Sequence, residues 1–121
     1  MGYIKHNAIV ITYWDDKKLD NIRTKCCNII NKEFAAEIGD LDVSVGRDFA
    51  SNMVTPILQA KVNSYYTFFI GPDGSKEEWG ASDCGDRSRE KIVKLLAQTG
   101  CDFAEISYGD EAGGARILNE S

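Results

Sequence analysis

The chain has 121 residues, 43% apolar and 27% charged, which fits one folded domain that buries its own core and excludes a disordered polymer. A net charge of −5 and a pI near 4.8 leave no basic stripe, so nucleic acid is not an expected partner, whereas two or three local arginines suffice for a small anion. No apolar run approaches the roughly 18–20 residues of a membrane span, and MGYIKHNAIVITYW lacks a small-residue cleavage pattern, so the expectation is a cytoplasmic protein with no membrane contact.

NAIVITYW (7–14) is β-branched and aromatic on both alternations and predicts a central strand. Asp15 and Asp16 then supply an N-cap, their carboxylates complementing the positive helix end. Leu19, Ile22, Cys26, Ile29, Ile30 and Phe34 recur at three- and four-residue steps, predicting a helix over 17–37 that Gly39 ends. LDVSV (41–45) alternates as a half-buried strand. Residues 46–63 have no clean period and predict either a long loop with one helical turn or a bent edge strand; unstructured loops of such length are often functional.

SYYTFFI (64–70) is strongly β, GPDGS is a turn, and SKEEW returns as a partner strand, giving a hairpin over 64–80. A second helix is expected from Ser82 or Asp83, with Ile92, Leu95, Leu96 and Thr99 inward and Gly100 as its stop. DFAEISYG sets Ala104, Ile106 and Tyr108 against Glu105 and Ser107 in a short strand, and ARILN (115–119) is a final edge strand.

The order predicts a single α+β domain over 1–121: a two-layer sandwich, mostly antiparallel, with two helices on one sheet face, ferredoxin-like with an added hairpin. The other sheet face must be solvated or covered. Tyr3, Tyr13, Tyr65, Phe68 and Trp79 are candidates to line it, and a large exposed apolar face implies a homo-oligomer. Cys26, Cys27, Cys84 and Cys101 lack zinc-ligand spacing and read as reduced, small, buried side chains.

GYIKHNAIVIT (2–12), PDGSKEEW (72–79), SDCGDRSREKIV (82–93) and EISYGDE (105–111) together resemble a family of small proteins of bacteriophages, prophages and some bacteria. The resemblance touches both ends and the middle of the chain. It implies a phage or mobile-DNA provenance and a host-cytoplasm setting, and it carries no catalytic signature and no residue roles. Small acidic phage proteins often act by binding, inhibiting a host protein or capturing a nucleotide used in antiphage signalling.

His6, the single histidine, suits a phosphate contact or general base at a strand end, but a two-histidine phosphoesterase needs two such strands. In SDCGDRSR (82–89), a helix start turns its amides outward and favours an anion, which Arg87 and Arg89 would hold bidentately. Asp83 and Asp86 oppose that unless they pair with the arginines. The acidic residues show no EF-hand or paired-ligand spacing, so no metal and no cofactor are expected. The leading expectation is a non-enzymatic phage-type binding protein that sequesters a small anion such as a defence-signalling nucleotide, contacted by Arg47, Arg87, Arg89, Tyr65, Tyr66 and His6. The alternatives are a module that inhibits a host protein through the 46–63 loop and a small hydrolase using His6, for which no nucleophile–base set is legible.

Overall fold

The structure, a computed structural model, describes residues 6–38, 50–72, 80–109 and 114–121, with only the backbone of 36–38 and 80–83. The chain runs β1 (His6–Tyr13), α1 (Asp16–Ile38), a 3₁₀ turn (Ala50–Asn52), β2 (Leu58–Gln59), β3 (Tyr66–Ile70), α2 (Gly80–Leu96), β4 (Asp102–Tyr108) and β5 (Arg116–Glu120). The five strands form one antiparallel sheet in the order β2-β3-β1-β4-β5. This is the α+β sandwich expected from the sequence. The α1 connection passes over β3 and the α2 connection passes over β1, so each helix crosses one intervening strand. No helix among the described residues is long and apolar enough to cross a membrane.

α1 begins where the cap requires. The Asp15 carboxylate accepts the amides of Lys17 and Lys18 at 3.1 and 3.2 Å, satisfying two donors with no intrahelical partner. Leu19, Ile22, Cys26, Ile30 and Phe34 follow along one stripe and are all buried. They pack on Ile9, Ile11, Phe68, Ile70 and Phe103 of the sheet and on Cys84, Ile92 and Leu96 of α2, one continuous core between the layers. α2 starts at Gly80, a little before the expected Ser82 or Asp83, a difference of the size by which helix ends vary.

Residues 50–59 combine both expected forms, a helical turn and a short edge strand. Their positions are fixed by bonds reaching far along the chain. The Ala50 amide donates to Asn31 Oδ1 at 2.9 Å, and Arg23 Nε donates to the Thr55 carbonyl at 2.7 Å. Thr55 in turn pairs with Phe69 through its amide and its hydroxyl, both at 2.9 Å. β2 and β3 form a hairpin that turns through Asn63 and Ser64, at φ 63° and 52°. Asn tolerates that left-handed region better than most residues. The strand LDVSV and the return strand SKEEW fall outside the described residues. Along the described chain, β3 has β1 on one side and the 54–59 segment on the other.

Sheet parity divides the side chains. Ile9, Ile11, Phe68, Ile70, Phe103, Glu105 and Ser107 face the helices and are buried. His6, Ala8, Val10, Thr12, Thr67, Phe69, Ala104, Ile106 and Tyr108 lie on the opposite face. Phe68 and Tyr13 therefore do not line that open face: Phe68 is fully buried, and Tyr13 packs against the core with Lys18 over its ring. Phe69 takes the place expected of Phe68, because β1 pairing puts Phe68 opposite the inward Ile11.

Candidate functional site

Two surfaces carry chemistry beyond core packing. The first lies on the helix side. Glu33, buried on α1, accepts from Arg87 Nε at 3.1 Å and also from Lys91 Nζ, both on α2. Those two hydrogen bonds, Lys91 first, hold its carboxyl below the ordinary value of 4.5 and outweigh the opposing effect of burial. Cys84 sits at the same helix crossing, its thiol donating to the Glu33 carbonyl at 3.5 Å.

Between Arg87 and Lys91 along α2, Arg89 points down to the sheet and is 5% exposed. It is paired with Asp86 and lies 3.9 Å from Glu105 Oε2 on β4, while Asn119 Nδ2 of β5 donates to Glu105 Oε1 at 2.7 Å. A pocket of about 360 Å³ opens beside this group, lined by three carboxylates (Asp86, Glu90, Glu105) and two cations (Arg89, Lys94). That balance does not favour an anion. β4 turns Glu105 and Ser107 inward together with Phe103, which joins the core beside Ile9 and Ile11, and turns Ala104, Ile106 and Tyr108 outward. A guanidinium from α2 provides the partner that Glu105 needs to be buried.

The second surface is the open sheet face. Its rows run Leu58–Thr67–Thr12–Asp102, Phe69–Val10–Ala104–Glu120, Ala8–Ile106–Ile117 and His6–Tyr108. Leu58, Phe69 and Ile117 are 56%, 42% and 61% exposed. The larger apolar side chains stand on the flanking strands, and Ala8, Val10 and Ala104 form a lower centre. Thr12 and Thr67 join hydroxyls across it at 2.9 Å.

The expected site residues are distributed over both surfaces and do not converge. Arg87 and Arg89 project to different places from α2, each on a carboxylate. Tyr66 packs at the helix side of β3, and Tyr65 is exposed just before that strand. His6 lies on the open face, its ring 5.2 Å from Tyr108 and closely packed on Gly109. The sheet separates His6 from Cys84 in the helix layer. Arg47 lies outside the described residues. Asp86 holds an arginine, as the charge argument required, whereas Glu33, Lys91, Glu105 and Phe69 were not singled out as site residues. Glu33 carried a signal: Cys26, Ile30 and Glu33 continue the buried stripe at four- and three-residue steps.

All four cysteines are unbridged thiols, with Cys26, Cys84 and Cys101 buried and Cys27 partly so. Desolvation pushes the Cys26 thiol up to about 12 and raises that of Cys101. Among the described residues, no group of three or more His, Cys, Asp or Glu side chains is placed to hold a metal ion. No family model, curated protein or solved structure matches the chain.

Proposed function

We propose that this chain is a non-catalytic binding protein of phage type, acting in the host cytoplasm by association, with the open sheet face as its working surface. The observation that carries the reading is the exposure of Leu58, Phe69 and Ile117 across a sheet face whose opposite side is fully engaged by two helices. Apolar side chains gathered on one face mark an interaction site more often than isolated ones do. The order β2-β3-β1-β4, with both helices on one side, supports a ferredoxin-like plait extended by β5. Within the 46–63 segment, Ala50, Met53 and Val54 are buried and Thr55 is tied to α1 and β3, so an inhibitory contact through it would fall to exposed Leu58 and Val62.

The test uses a fluorescent dye that reports exposed apolar surface, titrated into dilute protein. Wild type is expected to bind the dye, and Ile117→Lys combined with Phe69→Lys to bind it several-fold less with an unchanged circular dichroism spectrum. Equal dye binding by wild type and the folded variant would rule out the sheet face.

A second reading, sequestration of a small anion such as a defence-signalling nucleotide, is supported by Arg87 and Lys91. They stand one turn apart on α2, their side chains 46% and 55% exposed. A nucleotide that binds the native state must raise Tm, and Arg87→Ala should abolish the shift. Unchanged melting across cyclic and linear nucleotides would remove this reading.

A further inference from the structure

The cavity of about 360 Å³ between α2 and the sheet lies on the helix side, so it neither rests on the open face nor competes with it. Its roof is a single stripe of α2, because positions 86, 89, 90, 93 and 94 recur at three- and four-residue steps. Its floor is the helix side of three strands. Glu105 of β4 stands opposite Asn119 of β5, and Asn7 of β1, opposite Ser107, is the diagonal neighbour of Glu105.

Charge inside the cavity does not close on itself. Lys94 reaches Glu90 at 3.3 Å on the outer rim, where both side chains are mostly exposed. Arg89 gives Nη2 to Asp86. Each cation thus has its own carboxylate, and Glu105, whose side chain is 8% exposed, is the third. Its Oε1 accepts from Asn119. Its Oε2 lies 3.9 Å from Arg89 Nε, beyond hydrogen-bond reach, and no other donor among the described residues fills it. A buried carboxylate oxygen without a donor is unfavourable, and a ligand that brings one relieves it.

We propose that this cavity is a binding site for a small aliphatic ammonium ion. The ammonium donates to Glu105 Oε2, and its single positive charge balances three carboxylates against two cations. Asn7 lines the same floor and offers an amide oxygen as a second acceptor. Val93 of α2 and Leu118 of β5 add apolar wall that suits a short hydrocarbon stem, and the volume falls at the lower end of small-molecule sites. A carboxylate or phosphate would instead meet the Glu105 carboxylate, and an alcohol would leave the negative charge unbalanced.

The test is a titration of n-butylammonium chloride into the full chain, followed by NMR of backbone and side-chain amides. The Asn119 side-chain amide, which is bonded to Glu105, and the amides of Val93 and Leu118 are expected to shift saturably, with a dissociation constant on the order of 1 mM. n-Butanol carries the same stem without the charge, sodium butyrate a similar stem with the opposite charge, and sodium chloride no stem at all; none should reproduce the shifts. Glu105→Gln removes the acceptor's charge and should weaken binding at least about tenfold. Leu118 is half-exposed on β5, so Leu118→Lys leaves the core intact. It sets a tethered ammonium at the cavity and should weaken binding by a similar factor, which decides the matter if Glu105→Gln misfolds. No saturable shift up to about 50 mM overturns the proposal, as does binding that survives Glu105→Gln in folded protein, or Leu118→Lys where Glu105→Gln misfolds. Equal shifts from n-butanol or from butyrate overturn it by removing the role of the positive charge, and equal shifts from sodium chloride overturn it by assigning the cavity to an inorganic ion.

Discussion

Glu33 gives the crossing of the two helices its polarity, because it is the carboxylate that Arg87 and Lys91 both reach. Its folded pKa is lowered, so its contribution to stability is complete above about pH 4.5, the ordinary value, and is lost as pH falls through the lowered folded value. Glu33→Gln is therefore expected to lower Tm at pH 7 and to flatten the decline below pH 4.5. The cost at pH 7 should be about 1 kcal/mol, small because both cations are about half exposed. Calorimetry of both proteins across that range checks it; parallel Tm-against-pH curves would contradict it. At this scale the sequence was partly legible. A stripe of buried positions shows where Glu33 points, but its partners sit 54 and 58 residues later, beyond any local pattern. Arg89 hid its role in the same way: three residues before buried Ile92, it follows the inward face of α2, yet Glu105 is the reason it can stay there.

The elements that declared themselves in the sequence are those whose cause is local. α1 has a cap, a stripe and a length that all lie within its own residues. Asp15→Ala removes the acceptor of two terminal amides and should cost about 1 kcal/mol in urea denaturation at pH 7, with the slope unchanged. No loss would mean that Asp16 substitutes as the cap. The 50–59 segment is the opposite case. Its turn and short strand are held by side chains 19 and 32 residues away and by the edge of β3, so no period appears in its own letters. β4 shows a third situation. Its alternation is plain but its polarity is not, since both alternating sets contain apolar residues; pairing with β1, which sets Phe103 beside the inward Ile11, and the ion pair of Glu105 to α2 agree on which faces inward.

For the whole molecule, one core joins both helices to the sheet, and three of the four thiols lie inside it. The Cys26 thiol, at about 12, is scarcely ionised near neutrality. A thiol reagent added to native protein at pH 8 is thus expected to modify Cys27 well before the buried three, and all four at once in urea. Rapid native labelling of Cys26 or Cys101 would show that the layers open easily. The open face is legible as a possibility but its lining only in part: Tyr65 is exposed, Tyr3 and Trp79 lie outside the described residues, and a one-residue change of register exchanges Phe68 and Phe69. The register is visible only once β1 is paired. A last consequence comes from β5, where Leu118 stands as an extra residue between the Ile117–Ile106 and Asn119–Glu105 pairs. A border strand with an even ladder invites further chains to add without limit. The bulge breaks that ladder after two residues on either side, so growth along this border is discouraged.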